Sequence, residues 1–311
     1  MKTSAEPKTA RTMPRPIARR RMIASDMQSQ PAWITGAQGL IGNYLVRTAP
    51  KLAPRWRVRG LTRADFDLVD FAAVEREFAK DQPQLVVHCA AVSTLAGAQE
   101  NPRLARCVNV QATGLLAELA AQVSFLFFST DLVFDGRKGN YVETDATNPL
   151  HVYGETKLAA EEIVLKNPRH LVIRTSLNGG GSQSGNRGFN EQLRRSLQTA
   201  GQGMTLFKDE FRCPIPAVET AQAVWDLAEK NCAGLYHVAG AEKLSRLQIG
   251  ELLVKRWPEV TAQIKSGLAK DFPGPPRALD TSLDISKVQK VLSRPLPGLG
   301  EWLAANPDED F

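Results

Sequence analysis

No apolar run in this chain reaches the roughly 18 residues needed to cross a bilayer. The longest candidates, such as Leu85 to Val92, are strand-sized, so a membrane-spanning role is excluded as a reading. Cysteine is scarce and scattered: Cys89, Cys107, Cys213 and Cys232 show no CxxC or metal-ligand spacing. That pattern speaks against a disulfide scaffold and for reduced, mostly buried thiols in a reducing, cytoplasmic setting. Histidine is equally sparse, and His88, His151, His170 and His237 share no ligand spacing, so no metal is expected. The 311 residues carry a net charge of +6, but Lys2, Lys8, Arg11, Arg15, Arg19, Arg20 and Arg21 stand against only Glu6 and Asp26 in the first thirty residues. Five of the six net charges therefore sit in a tail, and the rest of the chain is nearly neutral. Without aromatic–basic interleaving, it offers no nucleic-acid surface. The tail lacks an apolar h-region, which excludes a secretory signal. It reads as a disordered basic extension over residues 1–30, as an overlong start with the true one at Met22 or Met27, or as a targeting peptide.

From Pro31 onward, strand and helix patterns alternate. Ala32–Thr35 is a short apolar strand ending in a glycine-rich turn. Leu40, Ile41, Tyr44 and Leu45 follow at helical spacing, and Trp56–Thr62 is a second strand. Phe71, Val74 and Phe78 mark a helix. Leu85–Ala91 and Ser124–Thr130 are near-continuous apolar strands, as expected where helices cover both faces of a parallel sheet. A single helix is predicted from Asn101–Pro102 through Leu119, another over Tyr153–Leu165, and a strand over His170–Thr175. Repeated βα units imply an α/β fold with a doubly wound parallel sheet of the Rossmann type. The expected division is a dinucleotide-binding domain over residues 31–176 and a smaller substrate lobe over 177–311, partly interleaved with the sheet. Within that lobe Gly179–Gly185 is a flexible loop, helices lie near Phe189–Gln198 and Val218–Lys230, and Leu235–Val238 is a short apolar run. No internal repeat is found.

The turn after the first strand, Gly36-Ala37-Gln38-Gly39-Leu40-Ile41-Gly42, has G-x-x-G-x-x-G spacing. Glycine permits the tight turn, lets backbone N–H groups approach a pyrophosphate and lets the helix pack closely on the sheet. The helix N-terminus then supplies free donors and a positive dipole. An NAD enzyme usually carries Asp or Glu at the end of the second strand. Here it ends Gly60-Leu61-Thr62-Arg63, and Arg63 can pair with a 2′-phosphate. NADP(H) is the expected cofactor, with NAD(H) as the alternative.

Tyr153-Gly154-Glu155-Thr156-Lys157 sets a phenol and an ammonium at i and i+4 on one helix face. Carbonyl reduction needs a proton for the developing alkoxide, and a neighbouring Lys⁺ is expected to lower the tyrosine pKa toward neutrality. Thr130, at the carboxyl end of its strand, is placed to hydrogen-bond a substrate carbonyl. Together with Cys89-Ala90-Ala91 and Asn109, these motifs resemble an extended short-chain dehydrogenase/reductase. Ser129–Gly136, Glu143-Thr144-Asp145, Pro149–Lys157, Ile173–Ser176 and the Arg277–Lys287 stretch resemble, more narrowly, the dTDP-4-dehydrorhamnose reductase family, over about residues 32–303. The resemblance implies a reductase of a 4-keto-6-deoxy nucleotide sugar with Thr130, Tyr153 and Lys157 catalytic. It implies that Gly36, Gln38, Gly39, Leu40, Ile41 and Gly42 lie along the pyrophosphate, Asp67 and Leu68 beside the adenine, and Ala90 and Ala91 at the cofactor ribose. Lys157 would also hold the nicotinamide ribose, and Ser176 would lie near the carboxamide.

Two stretches depart from the family pattern. Val92–Ala98 is an apolar loop where a charged one is usual, and Leu177 stands where a Trp usually packs on the sugar. Arg187, Arg212 and Arg277 are the candidate diphosphate ligands, and a homodimer is left open. Two other readings stay in play: a reductase of a smaller ketone or aldehyde, and a non-catalytic NADP-binding regulatory subunit like the β subunit of methionine adenosyltransferase, to whose motifs His88–Ala91 and Phe134–Gly136 are similar.

Overall fold

The computed structural model describes residue 1 and residues 29–199, 203–261, 263–272, 276–309 and 311. The basic tail falls outside the described residues over 2–28. Six parallel strands form the central sheet: β1 (Gln30–Thr35), β2 (Trp56–Leu61), β3 (Leu85–His88), β4 (Ser124–Thr130), β5 (Leu171–Thr175) and β6 (Gly234–Val238). They lie in the order β6-β5-β4-β3-β1-β2. The order reverses between β1 and β3, which opens a crevice at their carboxyl ends, the usual ligand position in such sheets.

Period-two alternation in the strands serves two cores at once. Ile34, Val87, Leu126, Phe128, Leu171 and Ile173 face one side, where α1 (Leu40–Leu52) and α8 (Ala217–Glu229) bring Leu45, Ala49, Val224 and Trp225. Trp33, Val86, Phe125, Phe127 and Val172 face the other. There α2 (Phe71–Asp81), α5 (Ala112–Leu119) and α6 (Val152–Val164) bring Val74, Leu116, Ala160 and Val164. Each Val, Leu, Ile or Phe side chain among them is worth about 1.5–3 kcal/mol when fully buried.

Local chemistry changed two expected elements. Half of the Val92–Ala98 stretch is not loop but α3 (Leu95–Glu100), because the Thr94 hydroxyl caps it by accepting the Gly97 N–H at 3.1 Å. The single helix predicted from Asn101 is α4 (Pro102–Arg106), then one π-helical turn at Cys107–Gln111, then α5. Such turns bulge a helix and often mark functional positions; this one carries Asn109. The run at Leu235–Val238 joins the sheet as β6, with Tyr236, His237 and Val238 opposite Ile173, Arg174 and Thr175 of β5.

Between β5 and the end of the chain a further core forms from α7 (Phe189–Thr199), α9 (Arg246–Val254) and α11 (Leu299–Ala305), gathering Leu193, Leu206, Ile249, Trp257 and Trp302. One short helix, α10 (Ser286–Gln289), brings Val288 back to the sheet.

Candidate active site

The glycine turn lies in the β1/β3 crevice. Gly36 has φ +69°, and a Cβ there would sit 2.8 Å from the Ala90 nitrogen; one on Gly42 would sit 2.3 Å from the Gly36 carbonyl oxygen. The turn therefore presses against the end of β3 on one side and against α1 on the other, and only glycine fits. Gly39 precedes α1 with no side-chain cap and no acidic residue in the first turn, which leaves the helix N–H groups open to an anion. Gln38 is exposed, Ile41 half-buried and Leu40 buried. Ala90 and Ala91, half-buried, follow β3, and Ala90 N–H donates to Thr35 Oγ1 at 3.2 Å.

Past β2, Arg63 is exposed and without an ion pair among the described residues. Asp65, a carboxylate close to the same strand end, is turned back: it accepts from the Thr62 N–H and hydroxyl, both at 2.9 Å, and faces Arg59 at 3.7 Å. Asp67 is exposed and accepts the Val69 N–H, while Leu68 packs into the Trp33 core.

At the carboxyl end of β4, Thr130 lies beside Tyr153 of α6, close enough for its hydroxyl to influence the phenol. Gly154 makes this approach feasible. A Cβ there would lie 2.4 Å from the Leu132 carbonyl oxygen, so α6 begins directly against the turn after β4. One helical turn on, Lys157 is buried with its Nζ 4.0 Å from the centre of the Phe127 ring, a cation–π contact.

The electrostatics differ from the expectation of a lysine-lowered tyrosine. Burial, with the Asp131 charge, pushes Tyr153 up to about 12, and the Thr130 hydroxyl only partly offsets this. The downward shift falls on Lys157, which burial takes to about 7 against the opposing pull of Glu161 and Cys89. The cause is the dry setting: desolvation disfavours the charged form of both groups, so both move toward neutrality.

The family described as RmlD substrate binding domain matches residues 32–305. The chain belongs to that family. A probable low-salt glycan biosynthesis reductase of Haloferax volcanii is 31% identical over 88% of this chain and 96% of its own length. A dTDP-4-dehydrorhamnose reductase of Sinorhizobium fredii is 30% identical over 86% of this chain and 93% of its own. The methionine adenosyltransferase 2 subunit beta of Xenopus laevis is 28% identical, over 85% and 83%. Among solved structures, a hypothetical dTDP-4-dehydrorhamnose reductase from Sulfolobus tokodaii superposes with a TM-score of 0.75 at 28% identity, covering 86% of this chain and 97% of its own. The Bacillus anthracis dTDP-4-dehydrorhamnose reductase in complex with NADP gives 0.80 at 19% identity, over 89% and 98%, a likeness of fold.

Two buried carboxylates organise this RmlD-type site, and the sequence reading gave neither a role. Asp131 accepts from Thr130 Oγ1 at 3.2 Å, Ser176 Oγ at 2.8 Å and Thr281 Oγ1 at 2.9 Å, and lies 3.7 Å from Arg212 Nε. Ser176 is thus tied to Asp131 and also accepts the Cys213 N–H at 3.2 Å. Glu210, 2% exposed, gathers Arg212 at 3.2 Å, Arg246 at 3.0 Å and Arg277 at 3.1 Å. Burial alone would raise its pKa, but the arginines prevail and hold it below the usual range. Of the three arginines expected at a diphosphate, Arg212 and Arg277 come together. Arg246, given no role from the sequence, shares Glu210 with them, whereas Arg187 sits in the 182–188 loop, exposed and without an ion pair among the described residues. That loop is ordered by Glu191, which accepts from Ser182, Arg187 and Gly188. His151, half-buried at the start of α6, is lowered by burial and by Arg277 and Arg212. Leu177 packs into the Leu193–Trp257 core.

Proposed function

We propose that this chain is an NADP(H)-dependent reductase of a 4-keto-6-deoxy nucleotide sugar, with Tyr153 as proton donor. The observation that carries the reading is that Thr130 ends β4 beside Tyr153 at the start of α6, with Lys157 one turn along that helix, while the β1 turn has no room for a side chain. In this reading residues 31–176 supply the dinucleotide site and residues 177–311 the substrate lobe. NADP(H) is preferred over NAD(H) because Arg63 is free at the end of β2 while Asp65 is engaged with Thr62; the NADP complex of the Bacillus anthracis reductase supports it. When bound, the cofactor supplies the hydride.

Everything else falls to the chain. The phenol, held neutral at about 12, enters the reaction carrying its proton and can still give it to an alkoxide, which is the stronger base. Thr130 has one hydroxyl hydrogen. In the resting site it points to Asp131 Oδ1, and it can swing to the phenolate oxygen once the proton has left. Lys157, one turn along the helix, would favour the same phenolate in its charged form, which burial makes costly. Arg212, 3.7 Å from Asp131, and Arg246 and Arg277, which share Glu210 with it, supply cationic groups for the diphosphate of the substrate.

The test is loss of NADPH absorbance with enzymatically prepared dTDP-4-keto-6-deoxy-sugar, beside Tyr153→Phe. Oxidation abolished by the variant, with NADPH binding retained, is the expected result. A second reading, a cofactor-binding subunit without turnover, is favoured by the subunit beta relatives. NADPH binding with no oxidation across a panel of nucleotide sugars and small ketones, together with stable capture of a partner enzyme, would establish that reading in its place.

A further inference from the structure

His88, the last residue of β3, is fully buried, and the proposed chemistry makes no use of it. Its Nδ1 lies 2.7 Å from Thr35 Oγ1 and its Nε2 3.0 Å from Thr113 Oγ1. The neighbours fix where each hydrogen points. Thr113 gives its only hydroxyl hydrogen to the Asn109 carbonyl at 2.8 Å, so toward His88 it can only accept, and Nε2 must carry the hydrogen. Nδ1 is then bare and accepts from the Thr35 hydroxyl, whose oxygen in turn accepts the Ala90 N–H.

Beyond Thr113 the chain continues through Asn109 on the π-helical turn. The Asn109 side chain accepts the Val92 N–H at 2.8 Å and donates to the Val92 carbonyl at 3.2 Å and to Thr156 Oγ1 at 3.0 Å. Thr156 passes its own hydrogen to the Tyr153 carbonyl at 2.8 Å. Every donor in the series has an acceptor and each hydrogen is used once. It starts at the strand ends that flank the glycine turn and finishes on the backbone of the residue proposed to donate the proton.

We propose that His88 is a positioning residue: as the neutral Nε2–H tautomer it joins the cofactor cradle at Thr35 and Ala90 to the catalytic helix through Thr113, Asn109 and Thr156. The proposal rests on the cofactor and Tyr153 assignments made above. Neutrality is secured by the surroundings. Burial, then the Lys157 charge on α6, takes His88 down to about 3. The rings of Phe125 and Phe127 flank it at 6.0 and 5.9 Å, and neighbouring Cys89 is pushed up by burial, which keeps the thiol neutral.

The two halves of the link can be cut separately. His88→Asn keeps an amide where Nδ1 sits and empties the Nε2 position; His88→Gln does the reverse. Fluorescence titration with NADPH should give His88→Asn and Thr113→Val an affinity within about threefold of the parent chain. His88→Gln and Thr35→Val should weaken it by at least about tenfold, as loss of a buried hydrogen-bond partner does. Hydrogen exchange in the first turn of α6 should rise in the first pair and stay unchanged in the second. Long-range ¹H–¹⁵N spectra of the parent chain should show His88 as the Nε2–H tautomer, invariant from about pH 5 to about pH 8, where free histidine titrates. Four variants that weaken binding only in proportion to lost thermal stability would overturn the proposal. So would an Nδ1–H tautomer, or a His88 that titrates in that range. If the parent chain fails to bind NADPH, it is the cofactor assignment that falls, and the tautomer and exchange results still decide the link.

Discussion

Asp131 shows how much of this site turns on single side chains. Its charge adds to burial in raising Tyr153, so Asp131→Asn should lower the tyrosine pKa. The basic limb of the pH profile of kcat/KM, where the phenol proton is lost, should then move to lower pH. Stability should fall by about 1–3 kcal/mol, read from denaturant midpoints, because an amide NH2 replaces one of the two oxygens that accept from Thr130, Ser176 and Thr281. Glu161 acts on the other member of the pair. It is buried, held by Arg174 through bonds of 3.0, 3.2 and 2.7 Å, and opposes the loss of charge on Lys157. Glu161→Gln should take Lys157 below about 7, so activity at neutral pH should drop and recover on acidification. It also strands the buried Arg174, which should cost about 3–5 kcal/mol. The places of Thr130, Tyr153 and Lys157 were legible in the sequence, two on one helix face and the third at the end of an apolar strand. Asp131, Glu210 and Arg246 were not, since a buried charge looks like a surface charge until its partners from distant elements are known. The one available signal was Asp131 itself, a carboxylate continuing the apolar run Phe125–Thr130.

Among the elements, the strands were the most legible, because a sheet covered on both faces needs unbroken apolar runs and little else produces them at that length. Helix boundaries between Val92 and Leu119 were not, because they depend on which hydroxyl or amide caps which N–H. Thr94 and Asn101 each start a new helix by accepting Gly97 and Leu104 N–H groups, and the π turn inserts a residue without changing composition. The glycine turn gives the sharpest test at this scale. Gly36→Ala would set a methyl against the Ala90 backbone at a φ of +69°, so NADPH affinity should fall at least about tenfold and stability by about 1–3 kcal/mol. Gly185 is a control: it also has positive φ, but nothing lies within 4 Å of its added Cβ. Alanine there should cost only the backbone term and leave NADPH binding unchanged. Equal losses of affinity at both positions, by fluorescence titration, would refute the argument from close approach.

At the scale of the whole molecule, burial of histidine sets how the fold responds to acid. All four histidines are shifted down, each chiefly by burial: His88 to about 3 and His237 to about 4, His151 and His170 by less. His237 joins the edge strand β6 to the segments behind it, its Nδ1 facing the Tyr141 and Asp284 carbonyls at 3.1 and 3.2 Å. A histidine kept neutral in the folded chain takes up its proton first in the unfolded chain. Its contribution to stability is therefore fully present above the ordinary value of 6.5 and is lost as pH falls toward the folded value. In the window around pH 5 the unfolded state binds close to two more protons than the folded one from His88 and His237 alone. Stability should then drop by about 2–3 kcal/mol for each pH unit in that window. Urea midpoints measured from about pH 8 down to about pH 5 should be flat at first and then fall steeply. Because His237 supplies one of those protons, His237→Phe should start less stable but show a clearly shallower acid slope than the parent chain. A slope left unchanged would mean that His237 is already charged in the folded state and that β6 is held by another means.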